Sequence, residues 1–322
     1  MMIPAFDLDP VHTRYVTIDG GAVGDRERRV RGRLLDLRHR GTTWVGELAT
    51  RPGLVHDMSA ELAVDERGRV THAAGAMERP AFEASATTGF ESCRDILANV
   101  AKLAGGVVDT SMHETIGTTI AGPRGCYHLT TLVRAMAPVA ARPAIRQRRM
   151  RIEGWRRGER EMIVDARLED FGARGDDGAD GAHAGTPRRS THAAARRLAR
   201  TRLRFAITVD DPRPHDLLAA HRFADADGQE RGCSRSRATA AMLAGVPLLP
   251  GFARALGDHV AGGSGCGSLV ELAFAVSAVA SQILLHLAWP AVAGTGGRAA
   301  NTCVMWRTGG PLEGLPIAKD HA

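Results

Sequence analysis

Apolar and polar residues alternate along "RRVRGRLLDL" at Arg28, along "LVHDMSAEL" around His56, and again from Val70 to Met77, which is the period of strands with one face buried. This pattern predicts strands over Arg28–Leu37, Thr42–Ala49, Asp57–Val64 and Val70–Met77, with "DERG" as the turn between the last two. Beyond them the period changes. Helices are predicted over Glu91–Leu103, His113–Ala121 and Cys126–Ala141, punctuated by the glycine-rich steps "LAGG" and "AGPRG".

The same order recurs further along the chain. Residues 93–140 laid over 233–280 without a gap give 16 identities in 48 positions, and the pairs Cys93/Cys126 and Cys233/Cys266 share one spacing of 33. Upstream, "RRVRGRLLDL" at Arg28 resembles "RRMRIEGW" at Arg148, and "ELAVDERG" at Glu61 resembles "FAITVDDP" at Phe205. Such self-similarity marks an internal duplication. The fold expected is therefore α+β, in two tandem repeats, each a small antiparallel sheet followed by packed helices. The first repeat spans residues 1–145 and the second 146–322. Residues 173–200, rich in Gly, Ala, Asp and Arg without an apolar period, read as a mobile insertion in the second.

Composition narrows the class. A chain of 322 residues, 44% hydrophobic and 24% charged, suits a folded protein of about two domains. The first residues show no basic-then-apolar leader, so the expected location is the cytoplasm. One apolar stretch, 268–290, approaches the length of a membrane span, but Glu271, Gln282 and His286 interrupt it and a buried core helix is expected instead. Five cysteines without an export signal predict reduced thiols. The formal charge is +6, and lysine occurs only at 102 and 319, so arginine carries the positive charge. With aromatics at 4%, no stacking platform is evident; nucleic acid and membrane are not expected as partners, whereas a small molecule or another protein is.

Candidate chemistry gathers in the first repeat. Cys126 opens a helix after a glycine-rich turn, where free backbone N–H groups favour a thiolate, and Cys93 opens the preceding helical block. His128 follows Cys126 by two, and His56 and Asp57 begin the third predicted strand. Two thiols, two imidazoles and a carboxylate make a ligand set suited to zinc or an iron centre. The second copy keeps Cys233 and Cys266 but has Ser268 where the first has His128.

These residues resemble an uncharacterised bacterial family, a domain of unknown function marked by a His-Asp-Met strand start, a later Cys and a Gly-Cys-x-His-Leu helix start, matched here by "HDM" at His56, by Cys93 and by "GCYHL" at Gly125. Its late strand is matched by "NTCVMWRTGGP" at Asn301. The order of motifs is also distantly similar to that of NifU/IscU-type iron–sulfur scaffold domains and SufE-like sulfur acceptors. That resemblance places His56 and Asp57 near the scaffold's first Cys and Asp, Cys93 at its second Cys, and Cys126 with His128 at its closing pair. With no thiol at the first position, it implies a mononuclear site or a single acceptor thiol.

The function expected is metal binding or sulfur handling in the first repeat at His56, Asp57, Cys93, Cys126 and His128. An alternative is a hydrolase or transferase acting on a thioester or lactone, with Cys126 as nucleophile and His128 or His56 as base. A third is an arginine-rich interaction module. Whether the chain is an enzyme, its substrate and its oligomeric state stay open at this level.

Overall fold

The computed structural model describes residues 8–24, 26–109, 111–173, 195–208, 213–224, 229–233, 236–244, 246, 268–276, 279, 305, 307–313, 315 and 317–320. The first repeat contributes β1 (Asp9–Val23), β2 (Glu27–Arg38), the short β3 (Thr42–Val45) and β4 (Leu48–Thr50), then β5 (Gly53–Asp65) and β6 (Val70–Arg79). A 3-10 helix (Cys93–Leu103), α1 (Met112–Thr119) and α2 (Tyr127–Ala141) follow. The second repeat runs through β7 (Gln147–Arg157), β8 (Glu161–Gly172), β9 (Arg196–Thr208), β10 (His215–Ala224), β11 (Glu230–Gly232) and α3 (Ser236–Ala244), with a further helical stretch at 268–276 and a last strand, β12 (Ile317–Asp320).

The two repeats do not form separate small sheets followed by packed helices, as the sequence suggested. Strand dominates, and one antiparallel sheet of nine strands runs β11-β10-β9-β8-β7-β1-β2-β5-β6. The seam is the antiparallel pairing of β1 with β7, the first strand of each repeat. Alone, each would be an edge with a row of unpaired backbone groups; pairing satisfies both rows at once. β1 escaped the periodicity reading because His12 and Arg14 occupy inward positions that an apolar pattern would fill with Val or Leu. The insertion expected over 173–200 lies outside the described residues from 174 to 194, and its last residues belong to β9.

The seam also corrects the register of the duplication. Arg14 and Asp36 are 22 residues apart and bonded across β1 and β2; Arg148 and Asp170 are 22 apart and bonded across β7 and β8. Thus "RYVTIDG" at Arg14, not the stretch at Arg28, is the counterpart of "RRMRIEG" at Arg148.

One face of the sheet carries Val16, Ile18, Leu34, Met58 and Leu62 at alternate positions, all fully buried. Against it α2 packs Leu129, Leu132, Val133 and Met136, each contributing about 1.5–3 kcal/mol by burial. Gly32 permits the close approach: a Cβ there would lie 2.8 Å from both Leu132 and Met136 side-chain atoms. Arg28 reaches from β2 to the carbonyls of Val139 at 3.2 Å and Ile145 at 2.5 Å, satisfying acceptors at the C-terminal end of α2.

Of the apolar stretch 268–290, residues 268–276 form a helix with Leu269, Val270, Leu272 and Val276 buried. Among the described residues no helix is long and apolar enough to cross a membrane. Cys93, Cys126 and Cys233 carry no disulfide; Cys266 and Cys303 lie outside the described residues, as do 301–304 and 306 of the stretch at Asn301.

Candidate metal centre

Three adjacent strands bring a polar row into an otherwise apolar face. Arg14 on β1 stands opposite Asp36 on β2, and Asp36 stands opposite His56 on β5. Directly opposed residues share a face, so all three side chains rise toward α2. His12 lies two residues before Arg14 on the same face. From above, the first turn of α2 lowers His128 onto the row.

Asp36 is the hub, with 0% exposure. Arg14 donates Nε to Oδ1 at 2.6 Å and Nη2 to Oδ2 at 2.7 Å. His12 Nε2 meets Oδ1 at 3.1 Å. On the other oxygen, His56 Nδ1 lies 3.2 Å and His128 Nε2 3.5 Å from Oδ2, and the two imidazole rings stand 3.9 Å apart, tilted by 31°. Burial pushes the Asp36 carboxyl up, but Arg14 and the nitrogens of His12 and His56 outweigh it and hold the group well below the usual carboxylate range. Burial, reinforced by His56 and Arg14, drives His128 well below its ordinary value, and burial lowers His12 despite Asp36. Both are neutral imidazoles at pH 7. Arg38, on β2 opposite His12, is lowered to about 10 by burial and is held by Thr43 Oγ1 at 2.9 Å and the Thr50 carbonyl at 2.8 Å.

His56 Nδ1 is the telling atom. It is buried and sits 3.2 Å from a carboxylate oxygen, close enough to favour the ionised carboxylate, without meeting hydrogen-bond geometry there. Tetrahedral ligands bonded at about 2.0–2.2 Å are separated by roughly 3.3–3.5 Å. The two nitrogen–oxygen separations match that edge. Among the described residues Asp36, His56 and His128 are the group whose ligand atoms all lie within 4.8 Å of one another.

The residues expected from the sequence divide. His56 and His128 converge. Asp57, next along β5, faces the other side of the sheet, where Arg33 holds it at 2.9 and 2.7 Å. Cys93 opens the 3-10 helix behind the Ser92 cap and is buried in the apolar core. Cys126 is the N-cap of α2, its Sγ 3.7 Å from His128 Nδ1, on the side of the ring away from Asp36. The residues that periodicity did not single out are Asp36, His12 and Arg14. Their signal was a charge at an inward strand position, and the Arg/Asp spacing of 22 repeated in both halves.

The start of α2 is held by one carbonyl. Ile120 O accepts Cys126 N at 3.1 Å and Thr130 Oγ1 at 2.8 Å, and a Cβ on Gly125 would lie 1.7 Å from it. Gly125→Ala must therefore displace the strand of chain that aims Cys126 and His128. Thermal unfolding should show a loss of about 1–3 kcal/mol, the range for overpacking; an unchanged midpoint would contradict this tether.

A pH dependence follows from the buried imidazoles. Below the ordinary value near 6.5, the unfolded chain's histidines bind protons that folded His12 and His128 refuse, so stability is lost as pH falls from 6.5 toward their lower folded values. Each such proton steepens the loss by about 1.4 kcal/mol per pH unit. Urea midpoints at pH 7, 6 and 5 should fall, and fall less steeply in His128→Gln; equal slopes would exclude His128 as a contributor.

The second repeat keeps the ion pair and has no histidine at the positions matching His12, His56 and His128. Arg146 takes the place of His12 by chain offset, Ala199 stands opposite Asp170 where His56 stands opposite Asp36, and Ser268 replaces His128. Glu271, on the 268–276 helix, fills the space and meets Arg148 Nη1 at 2.7 Å. The Arg–Asp pair is thus common scaffolding; the converging pair His56 and His128 has no counterpart at the matching positions of the second half, where a half-buried imidazole, His221 on β10, is held by Thr201 at 2.8 Å near Asp170 and Glu271.

A family model described as "Protein of unknown function (DUF2889)" matches this chain twice, over residues 12–142 and 146–282. Comparison with curated proteins returned no match. Comparison with solved structures returned none either.

Proposed function

Since the chain belongs to that family of unknown function, its own geometry is the premise, and we propose that the first repeat binds one divalent transition metal ion through His56 Nδ1, His128 Nε2 and Asp36 Oδ2. The observation that carries the reading is the buried His56 nitrogen with no hydrogen bond, set at a ligand-to-ligand distance from the carboxylate. Two imidazoles and a carboxylate suit zinc or ferrous iron and leave a coordination position open for water or substrate. Neutral imidazoles and an ionised carboxylate are the forms a metal requires. His12 and Arg14 hold Asp36 from its far side, the outer-shell support that orients a ligating carboxylate. Metal binding is supported better than sulfur carriage, because Cys93 and Cys126 are both buried, and an acceptor thiol must be reached.

The test is metal analysis of protein purified anaerobically, followed by cobalt titration of the metal-stripped form. One equivalent of metal and a tetrahedral or five-coordinate cobalt spectrum are expected. Metal-free protein whose absorption does not change with cobalt would end the proposal.

A second reading rests on one arrangement: Cys126 Sγ, His128 and Asp36 follow one another at 3.7 Å and 3.5 Å, the order of nucleophile, base and orienting carboxylate. Two features weaken it. His128 is a poor base when burial holds it so far below its ordinary value, and Arg14 already neutralises Asp36. Iodoacetamide separates the readings: rapid labelling of Cys126 in stripped protein supports the nucleophile, whereas protection restored by added zinc supports the metal.

A further inference from the structure

The open face of the sheet carries a grid of arginines. In sequence these residues lie in separate clusters at alternating strand positions; the strand register gathers them. One cross-strand row runs Arg151, Arg167, Arg202, and the next runs Arg149, Glu169, Arg200, Arg222, over β7, β8, β9 and β10. Antiparallel neighbours lie about 5 Å apart and successive residues on one face about 7 Å, so the guanidinium groups form a two-dimensional lattice. Their heads reach solvent: Arg151 is 49% and Arg222 66% exposed, and Arg149 and Arg200 are exposed as well. Glu153, Asp165, Glu169 and Glu230 are carboxylates among them; Asp165 is consumed in a paired contact with Arg202 and another with Arg167, and Glu230 lies 3.7 Å from Arg222. Six arginines against these four carboxylates leave the patch positive.

We propose that this face binds single-stranded nucleic acid through its phosphates. Charge complementarity excludes a second copy of the same face, which would oppose arginine to arginine. A polymer with one anion per unit fits a rigid lattice of cations, and arginine, in place of nearly absent lysine, offers two N–H groups to each phosphate. The width of the sheet prevents entry into a duplex groove, which admits a helix or a two-stranded ribbon, whereas a flexible single strand lies flat. Two guanidinium planes are already supported on rings: Arg149 over Phe171 at 5.2 Å and Arg151 over Tyr15 at 5.7 Å. Such planes also accept stacked bases. Binding should therefore tolerate sequence and respond strongly to salt.

The experiment is fluorescence anisotropy of a labelled oligothymidylate of about 20 nucleotides with the full chain. Four to six phosphate contacts, at a salt slope near 0.7 each, weaken binding roughly 50- to 300-fold between 50 and 200 mM salt. The exposed triple variant Arg149→Gln/Arg200→Gln/Arg222→Gln should fold as the parent does by circular dichroism, hold the same metal equivalent, bind at least tenfold more weakly and lose about two units of salt slope. Binding that ignores salt, a folded triple variant with parental affinity, or polyglutamate competing as well as unlabelled oligonucleotide would each overturn the proposal, the last in favour of an acidic protein partner.

Discussion

Arg14→Met should cost the fold about 3–5 kcal/mol, the penalty for leaving one member of a buried ion pair uncompensated. Both side chains are fully buried, and Arg14 supplies the two shortest contacts that Asp36 makes. Without it the carboxylate keeps imidazoles as its direct contacts, neutral in His12 and His128 where burial opposes protonation, with the Arg38 guanidinium acting only at longer range. A loss of this size is a large part of a domain's whole stability, so urea unfolding should show a large fall in midpoint or no cooperative transition at pH 7. The double variant Arg14→Met/Asp36→Leu removes the charge along with its partner and should recover most of the loss, since apolar replacement of an entire buried pair is near neutral. A single variant as stable as the parent, or a double variant worse than the single, would show that the pair does not hold the sheet together. Arg148→Met applies the same test to the second repeat, where Asp170 and Glu271 would both lose their shared cation.

The buried charges also explain which parts of this protein are legible in its sequence. β2, β5 and β6 are legible because most of their inward residues, such as Leu34, Met58, Leu62 and Met77, are apolar and outnumber Asp36, Arg38 and His56; α2 follows from its apolar spacing and the glycine turn before it. β1 is hidden because its first half buries His12 and Arg14 against Asp36, at successive inward positions where apolar residues would announce a strand. With β1 unseen, the seam to β7 is unseen too, and two small sheets are the natural expectation in place of one of nine strands. In the site, His56 and His128 stand out because the duplication supplies a copy without them. Asp57 attracts attention by adjacency to His56, yet neighbours along a strand point to opposite faces; the carboxylate that reaches His56 is Asp36, its partner across the sheet. Adjacency across strands is set by register, which the loops and bulges decide and local pattern does not encode.

Metal affinity should distinguish three tiers of residue around the site, and His56→Ala or His128→Ala should have the greatest effect, a loss of more than about 100-fold, beyond the 10- to 100-fold typical of outer-shell partners. Each removes one of three ligand atoms grouped within 4.8 Å. Cys126→Ala belongs to the next tier. Its sulfur lies against Nδ1 of His128, the nitrogen remote from Asp36, so it orients the ring and its removal should weaken binding about 10- to 100-fold. Asp57→Asn and Cys93→Ala should leave affinity within a few-fold of the parent, because Asp57 is bound to Arg33 on the opposite face and Cys93 lies outside the ligand group. Competition with a chromophoric chelator measures all of these on one scale. Zinc at 100 times its dissociation constant should also stabilise the parent by about 2.7 kcal/mol, by mass action on the folded state, with no such gain in either histidine variant. If Asp57→Asn or Cys93→Ala abolished binding, the ligands would include residues that the fold places away from Asp36; if His56→Ala and His128→Ala both retained it, the convergence of His56, His128 and Asp36 would be a packed polar core without a metal.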